Sequence, residues 1–142
     1  MKLARLLSLL VCMSMYTITL CAQEPLDQEQ LQGKWRVVKS QAQAGWDKAE
    51  LEFRGDQALI AGLTEDMHFT LNPFRNPKRL DIDVRSSRSG LDGIYSLKDD
   101  RLILCLGVDE SVPRAKEFPP AGHRLARPDW YNYLVLERVQ PK

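Results

Sequence analysis

Residues Leu31–Ser40 read LQGKWRVVKS, and this stretch decides the fold class. Before Gly33 the chain is polar, with Pro25 at the start of a short helical turn that Gly33 can end. After Gly33 apolar and polar side chains alternate, so Trp35 and Val37 share one face. An alternation of period two is typical of a strand with one buried face. The stretch therefore predicts a helical turn followed by a first strand.

The same alternation recurs in seven later segments that are separated by turn residues. The predicted strands are Lys34–Gln41, Ala49–Arg54, Gln57–Gly62, Asp66–Leu71, Arg79–Val84, Gly93–Leu97, Arg101–Leu106 and Tyr131–Arg138. Gly, Asn, Asp and Pro between them favour tight turns. The pattern predicts an all-β fold, an eight-stranded antiparallel up-and-down lipocalin-like barrel with a short N-terminal helical turn.

Alternation also predicts which side chains fill the barrel. They are Trp35, Val37, Leu51, Phe53, Leu80, Ile82, Leu102, Leu104, Leu134 and Leu136. In an up-and-down barrel, successive connections alternate between the two ends. We call the end that holds Gly33, Gly55 and Arg138 the base. The other end, the mouth, is predicted to hold the longer loops 42–48, 63–65, 85–92 and 107–130.

The base is predicted to be closed by three residues. Gly33 allows a close approach of the preceding turn, and Trp35 follows it on the inward face. Arg138 ends the last strand at the same end of the barrel, where its guanidinium can stack on the indole of Trp35. This arrangement resembles the Gly-x-Trp motif and closing arginine of lipocalins and other calycins.

A longer set of segments resembles a lipocalin-like bacterial domain family named for planctomycetes. The segments are LQGKWRVV, LEFRGDQALIAG, LNPFRNPKRLDIDV, LDGIYSLKDDRLILCLG, AKEFPPAG and YLVLERV, from Leu31 to Val139. The resemblance implies a small β-barrel, commonly exported, and implies no particular reaction. The chain ends after its last predicted strand, without the helix that packs outside the barrel in true lipocalins.

The first residues are typical of a secretory signal peptide. Lys2 and Arg5 precede a weakly polar run, Leu6–Leu20, that is long for a core strand and short for a membrane span. We predict a signal peptide at residues 1–22 and a single domain at residues 23–142, exported to the periplasm or the cell exterior. In the alternative interpretation Cys21 is acylated, and this lipid is the predicted contact with a membrane. In a third interpretation, less supported, the leader is retained as an N-terminal anchor.

The charge of the exported domain argues against a polyanion as its partner. Removing Lys2 and Arg5 leaves 18 of the 20 basic residues against 19 acidic ones. No nucleic-acid partner is therefore expected. No cofactor or metal is expected either, because His68 and His123 have no Cys, Asp or Glu beside them at metal-ligand spacing. No catalytic constellation is visible, so we do not expect an enzyme.

The strongest candidate for a binding site is the predicted mouth. Aromatic, basic and histidine side chains from three loops would gather there, namely Trp46, Arg85, Arg88, Arg114, Phe118, His123 and Trp130. Such a set suits an anionic or sugar-like ligand. The other interpretation, which we favour, is that the arginines pair with acidic neighbours and the aromatic rings hold the segment 107–130 on the barrel.

Three functions remain open. The first is non-catalytic binding of a small amphipathic or envelope-derived molecule at the mouth. The second is a protein-interaction module of the cell envelope that uses an apolar outer face, formed by Val38, Ile103, Cys105, Tyr131, Tyr133 and Val135. The third, least supported, is a hydrolase-type enzyme in which His68 or His123 meets a hydroxyl, thiol or carboxylate. The sequence leaves the oligomeric state open.

Overall fold

The structure is a computed structural model that describes residues 26–42, 45–120 and 122–141. The predicted signal peptide and Cys21 lie outside these residues. Within them, one helix, α1, spans Asp27–Leu31. The strands are β1 Gly33–Gln41, β2 Glu50–Arg54, β3 Gln57–Ile60, β4 Met67–Asn72, β5 Lys78–Val84, β6 Ser89–Lys98, β7 Arg101–Gly107 and β8 Tyr131–Arg138. Each corresponds to a predicted strand.

The strands form a closed antiparallel barrel in sequence order. Each strand pairs with the next, and β8 pairs with β1 to complete the ring. The up-and-down barrel is therefore confirmed. The weakest seam lies between β3 and β4, which share the single register pair Gln57 and His68.

The predicted interior residues form the core. All ten of them are buried, and Trp35, Leu80, Leu102, Leu104, Leu134 and Leu136 are fully inaccessible. Phe53 and Phe69 meet edge to face, with ring centroids 5.0 Å apart. Large side chains from every strand thus occupy the inside of the barrel, as is usual at this strand number.

The base is closed as the sequence predicts. The Arg138 guanidinium lies over the Trp35 ring, 4.3 Å from its centroid. The indole donates to the Leu31 carbonyl at 2.8 Å, which ties β1 to the end of α1. Gly33 has φ of 107°, and a Cβ there would lie 3.4 Å from Nη1 of Arg138. The close approach and the left-handed backbone together explain the glycine.

A second contact joins α1 to the base. The Asp27 carboxylate accepts from Nζ of Lys78 at 2.7 Å and from the buried Tyr95 hydroxyl at 2.5 Å. These hydrogen bonds and burial act in opposite directions on the pKa of Asp27: burial raises it, but the bonds from Lys78 and Tyr95 prevail and lower it. The contact therefore stabilises the ionised carboxylate.

Strand β6 is longer than predicted. We expected it to begin at Gly93, whereas it begins at Ser89 and leaves only a short turn after β5. Ser and Gly in this segment suggest a loop by composition, but Leu91 packs against the core. Gly93 is needed where β6 crosses the core, because a Cβ there would lie 2.4 Å from a Leu106 methyl group.

The segment 107–130 does not stand at the mouth but crosses the outer wall of the barrel. Its apolar side chains Ala115, Phe118 and Leu125 pack on the outward-facing Ile94 and Cys105. The predicted apolar outer face is therefore covered in part by the chain itself. Cys105 and Val135 are only 1% and 2% exposed, whereas Val38 is 51% exposed and Ile103, Tyr131 and Tyr133 are half-buried.

Candidate functional site

The mouth is occupied by side chains of the protein. Trp46 is half-buried and packs against the core together with Ala42, Ala49, Ile60 and Leu91. Met67 and Val84 are buried beneath the same end of the barrel. Side chains of the protein therefore pack at the end of the barrel where we expected a ligand.

Arg114 and Phe118 are not at the mouth, and that expectation is wrong. Arg114 forms an ion pair with Asp81 and donates to the Gly93 carbonyl at 2.8 Å, on the outer wall. It also lies 3.2 Å from Asp92, which faces Asp81 across the β5–β6 pair. The arginine thus relieves the repulsion between two carboxylates. The hydrogen bond that Arg114 donates to Asp81, together with the charges of Asp81 and Asp92, raises the pKa of Arg114, although burial lowers it.

The other predicted site residues lie toward the mouth but face different neighbours. Arg85 places Nη2 at 3.4 Å from Nδ1 of His68. Arg88 is exposed in the turn before β6. The His123 carbonyl accepts a hydrogen bond from the side-chain amide of Gln41 at 3.1 Å. The Trp130 ring is covered by the Arg127 guanidinium, which lies 3.7 Å from its centroid.

A pocket opens on the outer wall where the segment 107–130 folds back. This outer-wall pocket has a volume of about 290 Å³. Its lining residues are Cys105, Ala115, Lys116, Glu117, Phe118, Pro119, Pro120, Arg124, Leu125, Ala126, Arg127 and Tyr131. Strands β7 and β8 supply Cys105 and Tyr131, while the covering segment supplies the rest.

Two contacts hold the covering segment on the wall. Gln41, at the end of β1, accepts from the Leu125 amide at 2.7 Å, besides donating to the His123 carbonyl. The Tyr131 hydroxyl donates to the Pro113 carbonyl at 2.7 Å. Four prolines, at positions 113, 119, 120 and 128, restrict the backbone between these contacts. The pocket is therefore held open by a tethered, stiffened segment.

The pocket combines an apolar interior with basic side chains at its opening. Lys116 and Arg124 are exposed and form no ion pair within the described ranges. Arg127 is stacked on Trp130 and lies 3.8 Å from Asp129. Glu117 is the single acidic residue of the lining. The net charge at the opening is positive, so an anionic group is favoured there.

The Cys105 thiol lies at the inner wall of this pocket. It is 1% exposed, and burial raises its pKa to about 11. At neutral pH the side chain is thus a protonated, weakly polar group. It contributes to the lining of the pocket.

His68 is the histidine that meets carboxylates. Its Nδ1 lies 3.1 Å from Asp56 and its Nε2 lies 2.9 Å from Asp66, on the outer face of β4. The hydrogen bond to His68 lowers the pKa of Asp56. Carboxylate oxygens thus lie within hydrogen-bonding distance of both ring nitrogens. In the part of the chain that the structure describes, no group of three His, Cys, Asp or Glu side chains could hold a metal ion.

Comparison with known proteins adds no assignment. No protein-family profile, curated protein or solved structure matches the chain. The resemblance to the planctomycete-named family therefore stays a prediction. Among the described residues there is no helix of the length and apolar character needed to span a bilayer.

The sequence contained a signal for the outer-wall pocket that we interpreted differently. Cys105 and Tyr131 alternate with inward residues and were predicted to face outward beside one another. Such an apolar outer face needs a cover, and the segment 107–130 carries the apolar residues that provide it. The sequence pattern does not place Arg124 and Arg127 at this pocket, because an isolated basic residue in a loop does not show which side of the barrel it contacts.

Proposed function

We propose that this protein is a non-catalytic binding protein for a small amphipathic molecule that carries an acidic group, held in the outer-wall pocket. One observation carries the proposal: an apolar pocket of about 290 Å³ whose opening has unpaired basic side chains, in the described part of the chain. A cleft with an apolar lining and a few polar groups is the usual form of a ligand site. We do not place the ligand at the mouth, because Trp46 and its neighbours pack against the core there.

The dimensions of the pocket limit the ligand. Its volume lies at the small end of the range for ligand sites, roughly 300 to 1,000 Å³. A short apolar chain or a ring system would enter between Phe118 and Leu125. Its acidic group would then lie at the opening, where Arg124 can donate two hydrogen bonds to a carboxylate, sulfonate or phosphate.

The proposal includes a location outside the cytoplasm. It is supported by the sequence of residues 1–22, with its two basic residues followed by a weakly polar run. A carrier of amphipathic or envelope-derived molecules is useful where such molecules must cross an aqueous space. The neutral Cys105 thiol, with its raised pKa, is also protected from disulfide exchange by burial.

The test is a fluorescence titration with anilinonaphthalene sulfonate, an aromatic ring system that carries one sulfonate. We expect saturable binding to the folded protein. Arg124→Gln should weaken it about tenfold, the loss expected for one charge-assisted hydrogen-bonding partner. Phe118→Ala should weaken it by removing apolar contact. Circular dichroism checks that each variant keeps its strands.

The matched control is Arg88→Gln, which removes an exposed arginine at the mouth. It should leave the affinity unchanged. A protein that fails to bind the probe, or one in which Arg88→Gln weakens binding while Arg124→Gln does not, would contradict the outer-wall pocket.

A further inference from the structure

We infer that the loop between β4 and β5 is a docking surface for an anionic lipid bilayer. The Phe74 surface, as we call it, consists of Phe74, Arg75, Arg79 and Lys116. Phe74 is 94% exposed, whereas every other phenylalanine is at least partly buried in the described part of the chain. An aromatic ring presented fully to water costs hydration free energy and is typical of a contact surface.

The ring is surrounded by basic side chains. Phe74 borders an open groove of about 520 Å³, to which Arg75, Arg79, Arg114 and Lys116 contribute their cationic groups. The other lining residues are Asn76, Pro77, Ile94 and Ala115, so the described lining contains no carboxylate. The groove therefore has a strongly positive potential.

Three of these four cations are uncompensated. The charge of Arg114 is balanced by Asp81 and Asp92. Arg75, Arg79 and Lys116 form no ion pair with any residue in the ranges 26–42, 45–120 and 122–141. The rest of the domain 23–142 has 15 basic and 19 acidic residues, so these three cations form a local positive patch on an otherwise acidic domain. Such a patch favours a partner of opposite charge at this place.

An anionic bilayer fits both features at once. Aromatic rings are favoured at the boundary between lipid headgroups and acyl chains, and basic residues beside them bind anionic headgroups. A soluble phosphate would bind the cations but would leave the phenyl ring of Phe74 in water. Single-stranded nucleic acid, which also pairs stacking with cations, is the competing ligand that the test must separate.

The place where the chain enters the barrel also favours a membrane at the end of the barrel that carries Phe74. Leu26 is 65% exposed and immediately precedes Asp27, whose carboxylate binds Lys78 at the end of the β4–β5 loop. The residues before it include the apolar run Leu6–Leu20 and Cys21. Either a retained leader or a lipid on Cys21 would therefore join the domain at the end that carries Phe74.

The test is sedimentation of the protein with vesicles of phosphatidylcholine containing about one third phosphatidylglycerol. A chain that starts at Gln23 is suitable, because the core residues all lie between Leu31 and Leu136. We expect binding that falls steeply between about 0.1 M and about 1 M salt, since screening weakens exposed charges. Pure phosphatidylcholine vesicles should bind much less.

Single substitutions locate the surface. Arg75→Gln and Arg79→Gln should each lower the partition coefficient about fivefold. Phe74→Ser should lower it about tenfold, because its ring no longer enters the interface. The control is Leu63→Ser, which removes another exposed apolar side chain, 54% accessible, at the opposite end of the barrel. It should leave partitioning unchanged.

Three results would overturn the inference. They are no binding to anionic vesicles, equal binding to neutral vesicles, and equal losses for Leu63→Ser and Phe74→Ser. Single-stranded oligonucleotide bound in a Phe74-dependent manner, with no vesicle binding, would assign the surface to nucleic acid instead. Lys116 lies at the edge of both the Phe74 surface and the outer-wall pocket. The substitutions that test the inference are separate from the pocket, because Phe74, Arg75 and Arg79 do not line it.

Discussion

Arg138 makes contacts at the base that a lysine could not reproduce. Its Nη1 and Nη2 donate to the carbonyls of Gln32 and Gln30, at 2.7 and 2.5 Å. Nε donates to Asp100 at 2.8 Å, while the plane of the group covers Trp35. Only a planar group with several fixed donors can stack and bind three partners together. The same residue joins β8, the β6–β7 turn and α1.

Cys105 gives a pH-dependent stability that can be measured. Burial raises its folded pKa from 9.0 to about 11. The unfolded thiol ionises first as the pH rises, so the neutral folded thiol stabilises the protein fully below pH 9. That contribution is lost between pH 9 and 11, and its size is about 2 kcal/mol. Denaturant unfolding of the wild type should show this loss.

The comparison with Cys105→Ala separates the thiol from other alkaline groups. Tyr95, Tyr131 and Tyr133 also have raised pKa values, mainly because of burial, which both proteins share. The charge of Cys105 adds a smaller increase at Tyr131 and Tyr133, and this coupling belongs to the effect of the thiol. The wild type should therefore lose about 2 kcal/mol more than Cys105→Ala between about pH 8 and 11. Parallel pH profiles would show that Cys105 ionises as readily in the barrel as in the unfolded chain.

Helix α1 is too short to be stable alone, so its position depends on contacts with the barrel. The Asp27 carboxylate supplies one such contact through Lys78 and Tyr95. Asp27→Asn should destabilise the protein by about 1 to 3 kcal/mol at neutral pH, the range for hydrogen bonds to a charged group. Urea unfolding measures this difference.

The pH dependence of the stability difference between the wild type and Asp27→Asn shows whether the charge of Asp27 causes it. The pKa of Asp27 is lowered from 3.8, so its stabilising effect is present above that value and is lost as the pH falls through the folded pKa. The wild type and Asp27→Asn should converge as the pH falls below the folded pKa of Asp27. Glu29→Gln, an exposed change in the same helix, should have little effect at any pH. A constant difference across pH would contradict the role of the charge.

The segment 107–130 shows why one element escaped prediction. Its apolar residues Ala115, Phe118 and Leu125 follow neither a period of two nor a helical period. Their partners, Ile94 and Cys105, lie on strands whose outward face could be covered by a loop or by another protein. The local sequence pattern cannot distinguish a loop from another protein as the cover, because the cover depends on packing between residues that are far apart in the sequence. The interpretation that we favoured from the sequence anticipated part of the result, since Arg114 pairs with acidic residues and Phe118 packs against the barrel wall.

For the molecule as a whole, the barrel and its base could be predicted, whereas the site could not. Alternation assigns side chains to two faces, and strand ends place Trp35 and Arg138 together. The long loops at the mouth did not identify the site, because loop length does not reveal whether Trp46 points into the barrel opening or away from it. The predicted loop length also does not show that β6 begins at Ser89 and that the loop before it is short.

The localisation of a bound ligand decides between the outer wall and the mouth. The measurement is a two-dimensional ¹H–¹⁵N NMR titration with anilinonaphthalene sulfonate. The account predicts that the largest shift changes occur at Cys105, Phe118, Leu125 and Tyr131, around the outer-wall pocket. Changes centred instead on Trp46, Val84 and Leu91 would place the ligand at the mouth and contradict the account.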